Sequence, residues 1–167
     1  MRMLLFRHGI AHDRADPDCP VEAERELTEE GKRKTRKSAK GLKTMGHAPT
    51  RILTSPYLRA KETAAIVADV LGVDPSKVTI TDALLPEAAP YSIFHALYAF
   101  HATDEEVVCV GHAPNIDKVI AVALTGDRAP VSELKKSGAC LIDVEDLPRT
   151  HGSLVWLIPP KVLGDVG

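Results

Sequence analysis

An α/β fold, a largely parallel sheet covered by helices on both faces, is what the sequence predicts, and three observations predict it. Short strand-like runs recur at 3–6, 51–54, 78–80, 107–110, 140–144 and 154–158, the first and fourth being continuously apolar, as strands buried on both faces are. Between and just after the first four lie segments of helical periodicity with recognisable start and stop residues. The composition, 44% hydrophobic and 26% charged over 167 residues, is that of one soluble globular domain with little room for a second.

The elements follow in order. The run at 3–6 stops abruptly in the polar Arg7-His8-Gly9, so chemistry can begin at its end. Residues 10–26 show no sustained periodicity and are rich in Asp, Pro and Glu, which predicts an exposed loop. Loops of this length often carry function. Thr28 is placed to cap a helix whose first turn holds Glu29 and Glu30, facing the positive end of its macrodipole. On that helix Gly31, Thr35, Ser38, Ala39, Leu42 and Met45 share one side, with Lys32, Arg33, Arg36, Lys37, Lys40 and Lys43 on the other, giving an amphipathic helix with a basic outer face. After the strand at 51–54, Ser55 reads as a cap and Pro56 as the first helical residue. That helix buries Ala60, Thr63, Ala64, Val67, Val70 and Leu71 and ends near Gly72. A helix is expected over 91–100, and another opens at Pro114 after Gly111 and His112. Two closing strands are expected to run antiparallel, and residues 159–167 to form a loosely ordered tail.

Charge and cysteine usage exclude several classes. The formal net charge of −2 gives no global attraction to nucleic acid or anionic lipid. No apolar stretch approaches the ~20 residues that cross a bilayer, and the N-terminal run is too short for a secretory signal. Cys19, Cys109 and Cys140 form no close doublet, which fits a reduced, cytoplasmic compartment, with Cys109 and Cys140 as small buried hydrophobes.

Ligands of an open parallel sheet collect beyond the carboxyl ends of its strands. There the first strand delivers Arg7 and His8, the second Ser55 and, one helical turn on, Arg59, and the fourth Gly111 and His112. Two arginines and two histidines around one crevice suit a phosphoryl group. Guanidinium forks hold its oxygens bidentately, while a neutral imidazole is a competent nucleophile at phosphorus. Because the transferring group is metaphosphate-like, fixed arginines can supply the charge stabilisation, and neither a metal nor another cofactor is required. Other arrangements are weaker. Cys19 and Arg25 have the Cys-x5-Arg spacing of a cysteine phosphatase, but Glu22 and Glu24 between them repel phosphate. Asp16-Pro17-Asp18 follows no apolar strand, and His8 and His12 lack a third metal ligand.

Arg7-His8-Gly9 near the N-terminus, with RELTEEG at 25–31, SPYLRAKET at 55–63, LLPE at 84–87 and VGHAP at 110–114, resembles the histidine phosphatase superfamily, its motifs in order across essentially the whole chain. The short length and the GHAP and WLIPP segments look most like the SixA-type phosphohistidine phosphatases. The resemblance implies a three-layer α/β/α fold with a mostly parallel central sheet spanning 1–167. It makes His8 the nucleophile, with Arg7, Arg59 and His112 as the phosphate pocket, and it offers Glu87 as the positional candidate for a general acid. Ile10 stands where many relatives carry a polar residue. The expected activity is a cytoplasmic, metal-independent phosphatase acting on a phosphohistidine-containing phosphotransfer protein through a phosphorylated His8, with neither nucleic acid nor membrane as partner. A phosphatase of small phosphate esters and a non-catalytic phosphate-binding module are the alternatives.

Overall fold

The computed structural model describes residues 1–103, 105–149 and 151–167. Its six strands are β1 (Arg2–Arg7), β2 (Arg51–Thr54), β3 (Val78–Ile80), β4 (Glu106–Gly111), β5 (Ala139–Val144) and β6 (Gly152–Ile158). They form one sheet in the order β3-β2-β4-β1-β5-β6. The pairings among β3, β2, β4 and β1 are parallel, and both pairings of β5 are antiparallel. The five α-helices are α1 (Glu29–Thr44), α2 (Leu58–Leu71), α3 (Ser92–Tyr98), α4 (Asn115–Thr125) and α5 (Pro160–Val166).

Side chains alternate across the pleat, and this alternation assigns the helices to two layers. Met3, Leu5, Val107 and Cys109 pack on one face with Phe94 and Leu97 of α3 and Ile116 and Ile120 of α4. Leu4, Phe6, Val108 and Val110 pack on the other with Leu42 of α1, Val67 of α2 and Leu163 of α5. The three-layer α/β/α arrangement expected from the strand and helix order is therefore present. Cys109 and Cys140 are buried in the apolar core as expected, and burial raises the Cys140 thiol to about 12.

Local expectations fare unevenly. Thr28 caps α1, its hydroxyl accepting from the Gly31 amide at 3.0 Å, and Gly72 ends α2 in the left-handed conformation at φ 75°. Within 10–26 the chain is not wholly irregular. Residues Glu22–Glu24 form a 3-10 turn, and Ala11 bridges Leu27. The tail corrects the expectation of loose order, because Pro160–Val166 is helical and buries Leu163 against α1. Gly41 permits this docking, since a Cβ there would collide with the Leu163 carbonyl. Truncating the buried Leu163 to Ala is expected to destabilise the protein by about 2–5 kcal/mol. Urea denaturation measures this, and an unchanged midpoint would show that α5 adds nothing to the fold.

Candidate active site

The register of the parallel strands brings the site together. Arg7 is paired with Gly111, and Thr54 with Val110. His8, Ser55 and His112 therefore emerge side by side from three neighbouring strands, β4 lying between β1 and β2. Strands are spaced about 4.8 Å apart, and the His8 and His112 ring centroids are 4.9 Å apart, accordingly. The His8 amide donates to the Gly111 carbonyl at 3.0 Å, and the Gly9 amide to Thr63 Oγ1 at 3.1 Å. A Cβ on Gly9 would strike Thr35 Oγ1, so the close packing of α1 beside His8 leaves no room for a side chain there.

The tautomer of His8 follows from its partner. Nδ1 lies 2.7 Å from the Gly9 carbonyl oxygen, which only accepts, so Nδ1 carries the proton and Nε2 keeps its lone pair. Arg59 Nε, 3.4 Å away, is directed at that lone pair. Burial first, then the neighbouring His112 and the charges of Arg59 and Arg7, holds His8 well below the ordinary histidine value, against the opposing hydrogen bond to Gly9. Burial followed by the charge of Arg59 lowers His112 to about 3.

Each remaining expected residue has a defined setting. Arg7 donates from Nη1 to the Leu134 carbonyl at 2.7 Å, and the Leu134 amide donates to Asp117 Oδ1 at 2.7 Å, so Asp117 fixes the carbonyl that fixes Arg7. Among the described residues Arg7 Nε has no hydrogen-bond partner. His112 Nε2 lies 2.8 Å from Ser55 Oγ, while its Nδ1 is buried without a partner among the described residues. Arg59 is almost fully buried, with Nη1 and Nη2 donating to the Glu22 backbone and side-chain oxygens, each at 2.7 Å. Arg7, His8, Arg59 and His112 all line one cavity of about 540 Å³. Glu87 does not: it is exposed, and its neighbour Pro86 lines the cavity instead.

Several contributors escaped the sequence reading. Glu22 accepts hydrogen bonds from Arg14, Arg25 and Arg59. Burial alone would raise its acid, but bonds from Arg25 and Arg14 and the charge of Arg59 outweigh it and hold it at about 2. Arg25, set aside as part of a chance cysteine spacing, lines the cavity with Arg14 and Lys136. Ser55 is not the cap it resembles, because α2 starts only at Leu58 and the hydroxyl is committed to His112 and the Tyr57 amide. Ile10 lines the cavity, and its carbonyl accepts from the Thr28 amide at 2.9 Å. Among the described residues no three His, Cys, Asp or Glu side chains are grouped as metal ligands.

Residues 3–86, half of the chain, match the sequence model of the histidine phosphatase superfamily (branch 1). The chain belongs to this superfamily. It is 35% identical over 83% of its length to an uncharacterized protein of Picosynechococcus sp., covering 82% of that protein. It is 27% identical to the phosphohistidine phosphatase SixA of Escherichia coli (strain K12), over 96% of this chain and 94% of that one. The structure of a protein histidine phosphatase SixA complexed with tungstate superposes with a TM-score of 0.85 at 25% identity, over 98% of this chain and 99% of that one. Membership of this superfamily supports phosphatase activity, and the cavity lined by Arg7, His8, Arg59 and His112 is the candidate site for it.

The lowered histidine values carry a sign that can be tested. Because His8 and His112 are harder to protonate when folded than the ordinary 6.5, the unfolded chain takes up protons first as pH falls. Their contribution to stability is full above about 6.5 and is lost as pH falls from there toward about 3 for His112. Ring 15N NMR at pH 6 is expected to find both imidazoles neutral. Imidazolium shifts for either would contradict the electrostatics.

Proposed function

We propose that the protein is a SixA-type phosphohistidine phosphatase, which removes the phosphoryl group from a cytoplasmic phosphotransfer protein through a covalent intermediate on His8. The observation that carries this reading is that the lone pair of His8 Nε2, 3.4 Å from Arg59 Nε, shares one cavity with Arg7 and His112, whose buried Nε and Nδ1 have no partner among the described residues. Two polar atoms left unsatisfied in a buried setting are costly, and a phosphoryl oxygen offers each an acceptor. If Ser55, whose Oγ accepts from the Tyr57 amide, donates its hydroxyl to His112 Nε2, then the ring proton of His112 sits on the unpartnered Nδ1.

In the first step Nε2 of His8 attacks phosphorus. The P–N bond of the substrate breaks, and its electron pair returns to the departing imidazole, which takes a proton from solvent. In the second step water attacks the phosphoryl group on His8. That P–N bond breaks in turn, releasing phosphate and restoring the lone pair. Arg7 and Arg59 hold the equatorial oxygens throughout, supplying the charge stabilisation on which such transfers depend.

The leaving group supports phosphohistidine over an alkyl phosphate. An alkoxide needs a strong proton donor, whereas imidazole does not. Glu22 is unsuited to that task, being ionised down to about 2, and Glu87 stands outside the cavity. Comparing kcat/KM for a phosphohistidine protein with that for sugar phosphates in one preparation tests the reading. Preference for the phosphohistidine protein is expected, and preference for the sugar phosphates would overturn it in favour of a small-molecule phosphatase.

A further inference from the structure

The cationic surface does not end at the mouth of the active site. The catalytic cavity shares Arg7, Ile10 and Lys136 with a second groove, which also holds Lys34 and Lys135. That groove in turn shares Lys34 and Pro160 with a third, between α1 and α5, lined by Arg33, Lys37 and Lys161. The three depressions form one continuous track from His8 to the junction of α1 and α5.

Charge along the track is strongly one-sided. In the third groove Arg33, Lys34, Lys37 and Lys161 face one carboxylate, Asp165. Lys34 and Lys135 are paired with Glu30 and Glu133, both at 2.7 Å. Arg33, Lys37, Lys136 and Lys161 are exposed. At the opposite ends of the strands the large groove is lined by Glu105, Glu106, Asp143 and Glu145 against Arg2 and the amino terminus. A chain of net charge −2 thus carries a surplus of cations along this track, where Asp13, Glu133 and Asp165 are the lining carboxylates, and a surplus of carboxylates in the groove at the other end of the sheet. Fields of this kind orient a charged partner before contact and raise its association rate.

Building on the proposed phosphohistidine activity, we infer that this track is the docking surface for the substrate protein, reading an acidic surface that flanks its phosphohistidine. The catalytic cavity binds the phosphoryl group, and the track supplies selectivity among phosphoproteins. A partner with scattered carboxylates matches the track better than a nucleic acid does, since Asp165 and Glu133 interrupt the cations and would oppose a uniform row of phosphates.

The test uses two synthetic phosphohistidine peptides of equal length, one flanked by glutamates and one by lysines, together with free phosphohistidine. The double variant Arg33→Glu/Lys161→Glu alters exposed residues outside the catalytic cavity. Expected for the wild type is a preference in kcat/KM for the glutamate-flanked peptide that weakens with salt. In the variant kcat/KM for that peptide falls about ten-fold or more, while turnover of free phosphohistidine is unchanged. Equal turnover of the two peptides by the wild type, or an undiminished preference in the variant, would overturn the inference. Fluorescence anisotropy of the same peptides without phosphate reads the surface independently of chemistry. Tighter binding of the glutamate peptide that the variant loses supports the track even if no phosphohistidine is hydrolysed, a result that would count against the activity instead. Tighter binding of a labelled RNA oligonucleotide than of the glutamate peptide would also overturn it. Arg33→Gln/Lys161→Gln, checked by circular dichroism, is expected to give an intermediate loss if charge rather than misfolding is the cause.

Discussion

Replacing His8 with alanine is expected to lower kcat on any phosphorylated substrate by about four orders of magnitude or more, the scale seen when a covalent nucleophile is removed. The reason lies in the geometry around one nitrogen. Nε2 is the ring atom free of its proton, because Nδ1 is spent on the Gly9 carbonyl at 2.7 Å, and burial with the nearby positive charge keeps the ring neutral. His112 cannot take over, since its Nε2 is tied to Ser55 at 2.8 Å. The variant retains Arg7, Arg59 and His112, so orthovanadate or phosphate is still expected to bind. Steady-state kinetics with intact binding is the result to look for. Hydrolysis within about ten-fold of the wild-type rate would refute the assignment of His8.

The second large effect concerns Arg59. Arg59→Ala is expected to reduce kcat by about 10²–10³, or roughly 3–4 kcal/mol of transition-state stabilisation, as the loss of a preorganised charged donor does. Lysine is expected to restore little. The guanidinium performs two tasks at once, with Nη1 and Nη2 held on Glu22 and Nε directed at His8, and a single ammonium cannot span both. The fold should survive, because Glu22 is still held by Arg25 and Arg14. The nucleophile is intact, so Arg59→Ala is expected still to become phosphorylated, only slowly. Rapid-quench kinetics separates the two effects, and an Arg59→Lys enzyme of full activity would show that one positive charge suffices.

The three residues at the strand ends, Arg7, His8 and His112, were legible in the sequence for a physical reason. A buried parallel strand is a continuous apolar run with a sharp polar end, so the points where Arg7, His8 and His112 leave β1 and β4 are marked by the change itself. Arg59 is expected from helical spacing after Ser55, but it is placed instead by the first turn of α2, which starts at Leu58. Glu22 carried no such mark. It sits in an aperiodic loop, and its bonds to Arg59 cross 37 positions of sequence. Ser55 was misread because a serine before proline is the usual local signature of a helix start, while its partner His112 is 57 residues away. The helix at 160–166 was missed because seven residues with a glycine near the end have weak intrinsic propensity, and docking on α1 makes up the difference. One signal was available. Gly41 inside the last turn of α1 would ordinarily weaken the helix by about 1 kcal/mol, and it marks the close approach of α5.

The central claim is that a phosphoryl group rests transiently on Nε2 of His8. Mixing the enzyme with a phosphodonor, quenching in alkali where phosphohistidine survives, and identifying the modified residue and ring nitrogen by tandem mass spectrometry and 31P NMR tests it directly. The predicted result is a single phosphoryl group on His8 at Nε2, absent from His8→Ala. A phosphoryl group on another residue, or on Nδ1, or continued turnover with no phosphorylated enzyme at any time, would contradict it.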